Sequence, residues 1–165
     1  MQTVARILVL LLFAAANLHA EDKNGLRLNV TKKTLDRADN PKGTFGREID
    51  RTMALKATVK NLSNRELTEG TIDCVILIRR WGASDASSVE RYTKTLKLDA
   101  LKSAAESELL VGDYHIGGHL HGTSTEHVDQ LVGWKITIDL AGKKTDFMSG
   151  SNFETLNKRA VAARS

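Results

Sequence analysis

Four of the chain's five histidines fall within the stretch HIGGHLHGTSTEH, from His115 to His127. His119 and His121 are two apart, so on extended backbone both imidazoles project to the same side, as when a strand presents two nitrogens to one metal. His115 or His127 would supply a third ligand, with Asp113, Glu126 or Asp129 as oxygen ligand or as acceptor for an imidazole N–H. Imidazole suits zinc or copper(II). The glycines argue the other way. Gly117, Gly118 and Gly122, followed by TSTE, describe a flexible connection between two strands, and a floppy chelator must lose backbone entropy to become ordered. The leading expectation is a solvated histidine-rich loop with no cofactor; a zinc or copper site on His115, His119, His121 and His127 is the alternative. Clustered histidines would also gain charge and repel one another on acidification.

No other grouping supports catalysis. Ser124, His127 and Asp129 share one short loop without a nucleophile elbow or an oxyanion donor arrangement. Copper–zinc superoxide dismutases also place a His-x-His pair on a β-sandwich, but their remaining ligands and structural disulfide have no counterpart here. The single cysteine, Cys74, excludes an internal disulfide. It lies in the apolar run TIDCVILI, where a buried and inert thiol is expected. The chain is therefore read as a non-enzyme.

The first twenty residues set the compartment. Arg6 is followed by an apolar run from Ile7 to Ala16 and a short polar stretch ending at Ala20, the order of a secretory signal peptide. The run is about half the roughly 20 residues a membrane span needs. Cleavage after Ala20 is expected, giving a periplasmic or extracellular chain with no remaining transmembrane segment. Residues 21–150 are read as one β-sandwich domain and 151–165 as a C-terminal amphipathic helix or tail. The net charge of +4 comes from interspersed residues, and aromatics are only 5% of the chain, which excludes the basic, stacking surface of a nucleic-acid binder.

The dominant period is two. LRLNV, TMALKATVK, TIDCVILIRRW and LVGWKITIDL alternate or run apolar as strands do. RYTKTLKL, SELLV and TDFMS are weaker strand candidates, and the stretch from Val89 to Leu101 also fits helical spacing, with Thr93 and Thr95 favouring strand. AGKK reads as a hairpin turn. The segment from Asp36 to Asp50 holds the only proline and two glycines and is expected as a solvated excursion; Asn61 to Gly70 is a similar connection. In the tail, Ser151 and Glu154 have capping-box spacing, and Phe153, Leu156, Ala160 and Val161 share a helical face that is expected to pack on the domain. Trp81 and Trp134 are expected as packing residues. Sequons at Asn29 and Asn61 matter only where a host glycosylates them.

Seven short strands separated by polar turns, with no βα alternation, predict an all-β, immunoglobulin-like antiparallel β-sandwich with a short C-terminal helix. The segment ALKATVKNLSNRELTEGTIDCVILIRRW resembles the strand, Asn-containing turn and strand of small exported bacterial immunoglobulin or fibronectin-type modules, including FxLYD-like domains. Val59 and Asn61 fill that pattern's Val-x-Asn pair, and Ile72 to Trp81 its long apolar strand; the strand ends in IRRW where the family has an aromatic and an Asp. The resemblance implies an adhesive, scaffolding or accessory module without a shared active site. The resulting expectation is an exported binding or structural module of the cell envelope, its partner an unknown protein or envelope glycan. A periplasmic divalent-metal protein using the histidine stretch is the alternative.

Overall fold

The computed structural model describes residues 17–42, 46–82, 89–121 and 127–162. In chain order these form β1 (Asn17–Lys23), β2 (Leu26–Arg37), β3 (Asn40–Lys42), β4 (Gly46–Asn61), β5 (Gly70–Arg79), β6 (Val89–Leu98), β7 (Glu106–His121), β8 (Gln130–Leu140), β9 (Lys143–Met148), α1 (Phe153–Arg159) and β10 (Val161–Ala162). All seven strands expected from periodicity are present, and β1, β3 and β10 are additional. The signal-peptide reading falls on residues 1–16, which lie outside the described residues, and on Asn17–Ala20, which enter β1 and pair with β2.

Two antiparallel sheets result. In the first, β4 is central, flanked by β2 and β3 along one edge and by β7 along the other, with β1 beyond β2. The second has the order β10-β6-β5-β8-β9, in which only the short β10 is parallel to its neighbour. The two hairpin turns used at the edges are Asn24-Gly25 and Ala141-Gly142, all four residues with positive φ, the backbone a two-residue turn requires.

The alternation read from sequence decides how the sheets meet. Leu26, Leu28, Val30, Leu55, Ala57, Val59 and Val111 of the first sheet pack against Ile72, Cys74, Ile76, Ile78, Trp134, Ile136, Ile138 and Phe147 of the second. The contact is close: a Cβ on Gly112 of β7 would come within 2.6 Å of Ile76 Cδ1 on β5. Cys74 is buried here and burial pushes its thiol up to about 12, so it is an inert core residue as expected. The central strand β5 is apolar on both faces because α1 covers the outer one, where Phe153 meets Leu77 and Val89.

Three expectations are corrected. The excursion from Asp36 to Asp50 is mostly β-ladder, with β2 and β3 lying end to end against β4 and only residues 43–45 outside the described residues. The helix begins from Asn152 without a side-chain cap, so Ser151 and Glu154 do not form a capping box. Glu154 instead lies 3.3 Å from Lys135 Nζ on the sheet below. The connection between β4 and β5 is ordered by Asn61, which is fully buried. Its amide protons are shared among the carbonyls of Arg65, Leu101 and Lys102, and its Oδ1 accepts from Ser63 N and Ser63 Oγ.

Candidate functional site

β4 and β7 each run for 16 residues, whereas β5 and β6 run for 10. The first sheet therefore outruns the second at one end, and both faces of the overhang carry chemistry.

His115 and His119 lie on its outer face. The loop expected from His115 onward is corrected as far as it is described: β7 continues to His121, and residues 122–126 lie outside the described residues. The glycines serve close approach instead of flexibility. Gly118 has φ +143°, and a Cβ there would fall 2.2 Å from His127 O. That position is kept open because residues 127–129 pair along the edge of β7, His119 N–H donating to His127 O at 2.8 Å and Asp129 N–H to Gly117 O at 2.9 Å. In the ladder His119 stands opposite Glu48, His115 opposite Thr52 and His121 opposite Gly46. His115 Nδ1 lies 3.5 Å from Asp50 Oδ1. His127 accepts a hydrogen bond at Nδ1 from Trp81 Nε1 at 2.8 Å, so that nitrogen is occupied. Trp81 is 44% exposed and meets His119 and His127 edge-on at 5.5 and 5.4 Å. Trp134, by contrast, is a core residue. Among the described residues no three His, Cys, Asp or Glu side chains converge as metal ligands, and the side chain of His121 lies outside them.

A polar knot fixes the ends of four strands beneath this cluster. Arg80, just past β5, donates to Asp129 Oδ2 and Glu90 Oε2 at 2.6 Å each, to the carbonyl of His115 at 3.0 Å and to Tyr92 OH. Asp129, whose side chain is 9% exposed, also accepts from Trp81 N and Gly117 N. Partial burial alone would lower the Arg80 pKa, but its bonds to Glu90 and Asp129 outweigh that and raise it.

The inner face of the overhang forms one wall of a cleft of about 460 Å³, closed by residues 128–131. Its apolar surface comes from Ile49 and Met53 of β4, Ile116 and Leu120 of β7, and Val128 and Leu131. Lys32 and Arg51 line it as well. Arg37 is paired with Arg51 across the β2–β4 ladder, and Arg47 is four residues along β4 from Arg51, an even spacing, so both share the face of Arg51. One carboxylate serves these arginines: Asp39 accepts two bonds from Arg51 and one, at 2.6 Å, from Arg37, with Arg47 at 3.9 Å. The Arg51 bond holds the Asp39 carboxyl well below the usual carboxylate range, overcoming a burial effect in the opposite direction. A carboxyl with a depressed folded pKa contributes stability above its unfolded value and loses it on acidification. Wild type is therefore expected to lose thermal stability between about pH 5 and about pH 2 more steeply than Asp39→Asn, the two melting curves converging in acid.

The cleft went unrecognised in the sequence because it follows from a mismatch in strand length between sheets. Part of its local signal was there: Ile49 and Met53 lie on the apolar parity of TMALKATVK, whereas Ile116 and Leu120 fall on the opposite parity from Leu109 and Val111, because the β4–β7 register shifts between Leu55 and Lys56.

No protein-family model matches the sequence, and no curated protein is similar to it. Among solved structures, the chain is similar to one described as the X-ray structure of Northeast Structural Genomics Consortium target SoR45, at 9% identity and a TM-score of 0.32, covering 77% of this chain and 83% of that one.

Proposed function

We propose that the chain is an exported, non-enzymatic β-sandwich module of the cell envelope that binds its ligand in the cleft at the overhanging end. The carrying observation is the cleft itself: an aliphatic wall with a few charged side chains at its margin, at about 460 Å³ within the roughly 300–1,000 Å³ of small-molecule sites. The leader-like order of residues 1–20 and the Val59-x-Asn61 pattern shared with exported immunoglobulin-type modules support the compartment and the class. Native mass spectrometry of the chain recovered from envelopes without denaturation tests the reading. A bound small-molecule mass is expected on the processed chain, and it should be absent from Met53→Trp, which fills the cleft. An unprocessed cytoplasmic chain carrying no such mass overturns the proposal.

A second reading, a zinc or copper site, draws on His115 and His119 sharing the outer face with Asp50 and Glu48. Elemental analysis of tag-free protein decides it. Stoichiometric metal lost on replacing His119 and His121 by alanine supports the site; substoichiometric or unchanged metal removes it.

A further inference from the structure

The geometry points to a free, single-chain anionic amphiphile, an acyl carboxylate, as the occupant of the cleft, an inference that rests on the cleft being the binding surface. The charges of the overhang are sorted between its two faces. Ladder partners project to the same side of a sheet, so the register assigns each of them. Lys32, Arg37, Arg47 and Arg51 share the cleft face, whereas Asp36, Glu48 and Asp50 lie on the opposite face with His115 and His119. Against the four cations stands Asp39, a formal excess of three positive charges, four less one. Asp129 in the cleft wall shares Arg80 with Glu90, so that knot carries one net negative charge and the excess at this end is two, three less one. Arg51 is committed to Asp39 by two bonds, but Lys32 makes no ion pair among the described residues and is the cation available to a ligand.

The apolar wall selects the remainder of the ligand. Met53 to Ile49, with Arg51 between them, spans about 13 Å of strand, and the other apolar side chains of the lining, Ile116, Leu120, Val128 and Leu131, are aliphatic. An acyl chain gains there by leaving water, whereas a glycan, although Lys32, Arg51, Asp129 and Gln130 offer it polar contacts, would find no aromatic stacking surface. A peptide strand cannot pair with β4 at this wall, because both of its edges are already occupied, by β2 and β3 on one side and by β7 on the other. The cleft thus pairs a hydrocarbon surface with one uncommitted ammonium group at its margin, which is the complement of a carboxylate on an alkyl chain.

Titration calorimetry with dodecanoate below its micelle threshold tests this on the full mature chain, with dodecyltrimethylammonium as the cationic counterpart. Saturable binding of one dodecanoate per chain is expected, with the ammonium amphiphile at least about tenfold weaker. Lys32→Met should weaken dodecanoate by about tenfold and Lys32→Glu by more, with unchanged melting temperatures because Lys32 is exposed. Equal binding of the two amphiphiles, indifference to Lys32→Glu, or a preference for phosphatidylglycerol vesicles over monomeric dodecanoate would overturn the assignment. An uncharged or cationic ligand found in the cleft and displaced by Met53→Trp would overturn it while sparing the binding-module reading. Loss of every ligand mass and every amphiphile signal would remove both.

Discussion

Asn61→Ala is expected to cost the folded state about 3 kcal/mol, because it removes every hydrogen bond of a fully buried amide and leaves the Ser63 N–H without its acceptor. The side chain satisfies the carbonyls of Arg65, Leu101 and Lys102 and the N–H of Ser63, and alanine can replace none of these bonds. The connection after β4 and the turn between β6 and β7 are held to each other by this amide together with the Leu67–Leu101 backbone bridge and the Ser103 hydroxyl on the Ser63 carbonyl. Asn61→Asp should be worse, since a carboxylate would face three carbonyl oxygens and has no proton to donate unless it titrates. Urea denaturation checks both variants: the midpoint should fall in the order wild type, alanine, aspartate, with an unchanged slope for alanine. An alanine variant within about 0.5 kcal/mol of wild type would mean the connection is solvated.

Asp129→Ala should be comparable, at about 3 kcal/mol, for a different reason. Removing Asp129 leaves the partly buried Arg80 guanidinium with Glu90 as its remaining carboxylate, and Arg80 cannot discharge itself by losing a proton. Glu90 still faces Arg80, which limits the penalty, but the N–H groups of Trp81 and Gly117 lose their acceptor. Asp129→Asn retains acceptor capacity for one of those N–H groups and should recover part of the loss. A cycle combining Asp129→Ala with Arg80→Met separates the pair from the orphaned amides. If the double variant is no more stable than Asp129→Ala, the guanidinium is not the source of the cost.

What the sequence disclosed follows the range of the interactions involved. Side-chain alternation is local, so all seven patterned strands could be read, including RYTKTLKL, where Val89, Tyr92 and Leu96 also fitted a helix. The glycines of β7 could not be interpreted locally, since the backbone of residues 127–129 that demands Gly118 arrives from the far side of a turn. Read alone, GG beside three histidines signals flexibility; beside a second backbone it signals contact. The helix start failed similarly. Glu154 has the spacing to cap its own helix but is drawn to Lys135 on a sheet that the tail sequence does not describe. Of the four sequence-predicted metal residues, His115, His119 and His121 belong to one strand, whereas His127 is held by Trp81. The cleft depended on the relative lengths of strands in two separate sheets, information no single segment contains.

The burial of Asn61 also constrains how the protein can be made. An oligosaccharide on that nitrogen would replace one of the protons its carbonyl partners share and would need space where the amide has no exposed surface. Sugar transfer at this position must therefore precede collapse of the chain, and a molecule so marked cannot reach the native state. In a glycosylating expression host the product would divide into a bare, folded pool and a decorated pool retained by quality control. Ser63→Ala removes the acceptor motif for the loss of one hydroxyl and should raise the secreted yield.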